Sequence, residues 1–111
     1  LRDFNYVDDC VEAFLLSGIS EKTNGKVYNL GSDRVIGLKE LAKKMLSLGF
    51  EGSYELVSFP EDRKAIDIGD YYSDFSLITS ELRWLPKTSL EDGLKKTIEY
   101  YKLHSSHYWG N

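Results

Sequence analysis

Apolar residues recur at helical spacing in four stretches of the chain and at strand-like spacing in three. Leu1 to Tyr6 alternates apolar and polar residues, which suits a short strand, although Leu1 and Phe4 are out of phase. Val11, Phe14 and Leu15 then form one stripe behind an Asp9/Glu12 capping-box pair, and Gly18 suits the left-handed end of a helix. The spacing predicts a helix over Asp9 to Ser17. After the turn dipeptide Asn24-Gly25, the run VYNL predicts a buried strand over Lys26 to Leu30. Gly31 to Gly37 reads as a loop. Leu38, Leu41, Ala42 and Met45 fall at i, i+3, i+4 and i+7, with Lys39, Glu40, Lys43 and Lys44 opposite, so a second helix runs until Gly49. Tyr54 to Val57 completes a strand, helix, strand unit across Lys26 to Ser58, whose strands are expected parallel with a right-handed crossover.

Beyond a charged loop, Asp74 is a good helix N-cap ahead of Phe75, Ile78 and Leu82, and Trp84 and Pro86 close that helix. Ser89 and Asp92 cap a fourth helix, lined by Leu90, Leu94, Ile98 and Tyr101 and reaching Leu103. Glu91 with Lys95, and Asp92 with Lys96, stand in the favourable i, i+4 order. Ser105 to Asn111 is a polar and aromatic tail. The fold class expected is α/β of the mixed kind: four helices with a short, partly parallel sheet of two or three strands.

With 111 residues, 41% of them hydrophobic and 29% charged, the chain has the make-up of one ordinary globular domain. A net charge of −4 without a basic patch argues against nucleic acid or an anionic membrane as partner. No apolar run is long enough to cross a bilayer, and the first residues lack the pattern of a signal peptide. A cytoplasmic protein is expected. The single cysteine, Cys10, has no intramolecular disulfide partner and reads as a small packing residue. His104 and His107 read as surface residues, and no metal site is expected, because neither they nor the acids at 67, 70 and 74 have the companions a zinc or calcium site needs.

The stretch RKAIDIGDYYSD, Arg63 to Asp74, carries the candidate chemistry. Arg63 offers a planar fork of donors suited to phosphate oxygens, Lys64 a mobile point charge, and Tyr71 and Tyr72 flat surfaces with hydroxyls. A phosphorylated, partly flat ligand such as a nucleotide matches that set. The alternative is that both cations are solvated and only offset Glu61, Asp62, Asp67 and Asp70. Gly49 and Gly52 lack the third glycine and preceding strand of a dinucleotide fingerprint, and there is neither a P-loop nor a nucleophile elbow. The inventory supports binding more than turnover.

Four blocks in order, RDFNYVDD, VYNLGSDRVIGLKELA, DRKAIDIGDYYSDFSLITSELRWLP and TSLEDGLKKTIEYYK, resemble the C-terminal region of the NAD-dependent epimerase/dehydratase family, the extended short-chain dehydrogenases acting on nucleotide sugars. The resemblance covers nearly the whole chain. It implies a fragment of a larger enzyme: residues 1–111 as the C-terminal lobe that grips a nucleotide-diphosphate sugar, without the N-terminal Rossmann domain that binds NAD(P) and carries a catalytic YxxxK pair. No YxxxK occurs in this chain, so it is expected to be catalytically silent alone and to bind no cofactor itself. The parent is expected to be a homodimer.

Carried over by position, the resemblance implies that Arg2 and Arg63 approach the diphosphate, with Lys64 as a contender for the second role. It places Tyr71 beside the nucleotide and Asp67 near the ribose or the arginine, a structural role for Asp67 being equally open. Asp8, Asp9 and Asp74 read as helix caps, Asn29 as a strand-end residue satisfying backbone groups, and Trp84 as core. Three positions depart from the family pattern: Gly37 stands for a serine or threonine cap, Leu77 for a basic residue, and Arg83 for a glycine, where a positive φ would strain an arginine. Two other readings remain: an interaction module that has kept the lobe and lost the ligand, and the lobe of a nucleotide-sugar reductase or decarboxylase.

Overall fold

A computed structural model describes residues 1–110; of the expected tail, Asn111 lies outside the described residues. In chain order the elements are β1 (Arg2–Asp3), α1 (Val7–Ile19), β2 (Val35–Ile36), α2 (Leu38–Ser47), α3 (Ser76–Leu82), α4 (Leu90–Leu103) and α5 (Ser105–Trp109). Single 3₁₀ turns stand at Glu21–Thr23 and Glu61–Arg63. The architecture is mostly helical with a minor sheet. β1 and β2 pair antiparallel, Arg2 opposite Ile36 and Asp3 opposite Val35, and an isolated parallel bridge joins Arg2 to Tyr71.

Local chemistry sets the helix ends. The Ser89 hydroxyl accepts the Asp92 N–H at 3.1 Å, which starts α4 as expected. At α3 the N-cap is Phe75 in place of the expected Asp74, which, one residue earlier, accepts the Ser76 N–H at 2.9 Å, a bond that holds its carboxyl below the usual carboxylate range. α2 follows Gly37 and stops where Gly49 turns to φ +102°. α3 ends at Arg83, which takes the left-handed conformation, φ +56°, foreseen for the glycine it replaces.

The centre of the molecule is Trp84, with Ile78 and Ala13 against it and Leu16, Tyr28, Leu30, Phe75 and Leu82 around them. Phe75 meets the Trp84 ring edge-on at 5.9 Å, and the indole N–H donates to the Asp9 carbonyl at 2.9 Å. Beside this cluster Lys26 Nζ reaches Glu81 at 2.8 Å, and the Tyr28 hydroxyl bonds the same carboxylate. The hydrogen bond to Glu81, with partial desolvation and the carboxylate's charge behind it, pushes the Tyr28 phenol up to about 12.

The structure corrects several expectations. Asp9 caps nothing: it lies inside α1, buried, and its carboxylate accepts the Thr88 N–H at 3.0 Å. The capping-box spacing therefore marked an inter-element bond, and the helix begins before it. Gly18 does not end α1, which runs on to Ile19 and closes at Ser20. The stripe Val11, Phe14 and Leu15 is exposed, and the core takes the opposite side, Asp9, Ala13 and Leu16.

Neither Lys26–Leu30 nor Tyr54–Val57 forms a strand, because among the described residues neither segment has a backbone ladder beside it. The parallel crossover unit is consequently absent, and the strand that does form, β2, lies in the stretch expected to be loop. α5 adds a fifth helix from the expected tail. Asn29 is exposed, and the amide that holds the loop is that of Asn5, donating to the Gly31 carbonyl at 2.7 Å. Glu91 faces Arg34 and Lys44 from other elements in place of Lys95, while Lys96 lies 5.4 Å from the centre of the Tyr6 ring.

Candidate functional site

β1 is the element that gathers the candidate residues. Its backbone pairs with β2 on one side, and on the other the Tyr71 N–H donates to the Leu1 carbonyl at 2.9 Å. This seats Tyr71, half-exposed, next to Arg2. The Asp3 carboxylate fixes the arrangement by accepting the Ser32 N–H at 3.2 Å and the Ser73 N–H at 3.1 Å. One side chain thus clips two loops to the strand. Gly31 is needed at this junction, because a Cβ there would stand 2.9 Å from Asp3, Phe75 and Ser73.

The Arg2 guanidinium is held in place. Nη1 donates to the Gly69 carbonyl and to the Leu1 carbonyl, and Nη2 lies 3.7 Å from Asp67. A guanidinium has five N–H donors, so further donors stay free for a second partner. Asp67 in turn accepts the Gly69 N–H at 3.3 Å and gives its own N–H to the Arg63 carbonyl at 3.1 Å. Arg2, Asp67 and Tyr71 are therefore brought together from positions far apart in sequence.

Arg63 joins this group through its backbone; its side chain is exposed and makes no ion pair among the described residues. Lys64 is turned to Glu61 at 2.5 Å. Of the carboxylates in this stretch, Glu61 pairs with Lys64, Asp67 lies by Arg2 and Asp70 meets the amino group of Leu1. Two hollows with apolar walls lie elsewhere, about 160 Å³ between Tyr6, Leu41 and Gly93 and about 280 Å³ between Phe14, Tyr28 and Ile78.

Asp3 and Asn5 were missed as organising residues. The available signal was slight: an acid and an amide inside an otherwise strand-like opening, where a polar side chain needs partners. Among the described residues no group of three or more His, Cys, Asp or Glu side chains is placed to hold a metal ion. Among the described residues no helix is long and apolar enough to cross a membrane.

No protein-family model matches the chain. Individual relatives do: the chain is homologous over nearly its whole length to nucleotide-sugar 4,6-dehydratases, which are members of the NAD-dependent epimerase/dehydratase family. Among them, the dTDP-D-glucose 4,6-dehydratase of Bos taurus is 34% identical over 99% of this chain and 31% of its own length. The Homo sapiens protein of that name is 34% identical over 99% of this chain and 32% of its own length. The dTDP-glucose 4,6-dehydratase of Neisseria meningitidis serogroup B is 30% identical over all of this chain and 33% of its own length. The chain thus spans about a third of the relatives it matches.

Among the described residues no strand passes to a helix through the glycine-rich turn of a dinucleotide fingerprint. β1 passes to α1 through Phe4, Asn5 and Tyr6 with no glycine, and β2 passes to α2 through one glycine, Gly37. A pyrophosphate cradle needs the close backbone approach that a glycine-rich turn supplies.

Proposed function

We propose that the chain is the nucleotide-sugar-binding portion of an NAD-dependent dehydratase or epimerase, one lobe of a larger enzyme and without catalysis of its own. The observation that carries this reading is the grouping of Asp67 and Tyr71 beside Arg2 of β1, with Arg63 in the adjoining turn. Arg2, oriented by a carbonyl and a carboxylate, presents its remaining donors to one phosphate. Arg63, free of a carboxylate partner, supplies the second charge, with Lys64 available once it leaves Glu61. Tyr71 covers the nucleoside. Binding energy from these remote groups orients the sugar toward the other domain of the enzyme, which holds NAD and does the chemistry.

The test replaces the matching third of the Neisseria meningitidis relative with this chain and follows dTDP-glucose kinetics. Arg2→Ala and Arg63→Ala should each raise KM by about tenfold or more, the loss expected for a charge-assisted phosphate contact. An unchanged KM in both variants refutes the assignment.

The excess of carboxylates over cations in this region favours a second reading, an interaction module that has lost the ligand. It predicts a chimera whose dehydratase activity is absent while its fold and its assembly are intact.

A further inference from the structure

The hollow of about 160 Å³ sits where three parts of the chain meet: the link from β1 to α1, the helix α2 and the start of α4. Phe4, Tyr6, Leu41, Leu90 and Leu94 make its walls apolar. Gly93, buried in α4, lets the Tyr6 ring lie against that helix, since a Cβ there would stand 3.3 Å from the ring.

Polar side chains also line the hollow, but their groups are engaged elsewhere. The Asn5 amide donates to the Gly31 carbonyl at 2.7 Å, the Ser89 hydroxyl accepts the Asp92 N–H at 3.1 Å, and the Thr97 hydroxyl donates to the Gly93 carbonyl at 2.7 Å. Thr88 turns its methyl to Gly93, 3.6 Å from where a Cβ would stand. A held water needs two to four polar partners, so this interior suits carbon better than water. An apolar cavity of about 150 Å³ takes benzene, which sets the size of the occupant at one six-membered ring.

A charge stands beside the ring-sized space. Lys96 lies on α4 between the wall residues Gly93 and Thr97, and its Nζ is 5.4 Å from the centre of the Tyr6 ring. Among the described residues it makes no ion pair. A carboxylate is the complement of that cation.

We propose that this hollow is a binding site for a small monocarboxylic acid built on one six-membered ring. The ring lies among Leu41, Leu90 and Leu94, and the carboxylate meets Lys96. The site shares no residue with the proposed diphosphate contacts, so either can hold without the other.

The experiment titrates this chain with benzoate, and with benzyl alcohol as its uncharged counterpart, and follows methyl and amide chemical shifts. Saturable shifts are expected at the Leu41, Leu90 and Leu94 methyls and at the Gly93 and Thr97 amides. Benzyl alcohol should bind about two- to fivefold more weakly, the difference that one exposed ion pair makes. Lys96→Gln, at an exposed position, should bring benzoate down to the level of the alcohol and leave the alcohol unchanged. Lys95→Gln, exposed and outside the wall, should alter neither. Leu94→Phe fills the space and should abolish both. No saturable shift with either compound, shifts away from this wall, equal binding of the two compounds, or benzoate binding that survives Lys96→Gln or Leu94→Phe at full strength overturns the proposal.

Discussion

Arg83 and Asp9 show how far a single position can be read. Arg83 holds a left-handed backbone, φ +56°, that costs an L-residue with a Cβ about 1 kcal/mol or more. Comparison with the glycine expected there was enough to anticipate it. Arg83→Gly should therefore stabilise the chain by up to about 1 kcal/mol, seen as a rise in thermal midpoint of a few degrees; a fall would mean that the arginine side chain does more than its backbone costs. Asp9 was legible as a helix residue but not as a buried one, because its partners, the Thr88 N–H and the Trp84 indole over its carbonyl, arrive from nearly the other end of the chain. Asp9→Ala leaves the part-buried Thr88 N–H without its charged acceptor and should destabilise by about 1–3 kcal/mol in denaturant unfolding. Among the candidate site residues, Arg2, Asp67 and Tyr71 were nameable from sequence. What was not legible is the clip at Asp3 that gathers their loops, since its two acceptor bonds go to backbone groups that carry no sequence signature.

At the scale of elements, helical periodicity located α1, α2, α3 and α4, because spacing along a helix is a local property. Which face is buried is not local. In α1 the longer apolar stripe points outward, and the smaller set of Asp9, Ala13 and Leu16 packs on the core. The strands fared worse for the same reason: Val27–Leu30 and Tyr54–Val57 have the composition but no ladder partner, whereas Val35–Ile36 has a partner but is two residues long, too short for an alternating pattern to announce it. The joint between α2 and α4 is electrostatic. Glu91 receives Lys44 first, then its own backbone N–H at the start of α4, then Arg34, and these bonds hold its carboxyl down to about 2. A folded pKa below the unfolded value of 4.5 contributes stability that is fully present above pH 4.5 and lost as pH falls toward 2. Glu91→Gln should accordingly be less stable than the parent at pH 7, with the gap closing over that acid range. A gap independent of pH would show that Glu91 matters through packing alone.

As a whole molecule the chain is open. Its radius of gyration is 17.0 Å, whereas a compact domain of this length has about 13 Å. Among the described residues Ala13, Ile36, Ile78, Trp84 and Ile98 are the buried hydrophobic side chains, against a long series of exposed ones from Leu1 through Trp109. Such a surface should bind a dye such as ANS while near-ultraviolet circular dichroism still reports a fixed Trp84; loss of that signal would mean that the core itself is fluid. The same openness accounts for a proposed ligand region that is a strand and a turn instead of an enclosed pocket. In the proposed enzyme, Arg2 and Arg63 form one wall and another domain forms the other.

The most direct measurement is an amide chemical-shift titration of this chain with dTDP, read at Arg2, Arg63, Asp67, Gly69 and Tyr71. Saturable shifts confined to those residues, abolished by Arg2→Ala with Arg63→Ala and unaffected by Lys95→Ala, are the predicted result. Shifts that persist in the double variant, or that map to α4 and α5 and leave β1 untouched, contradict it.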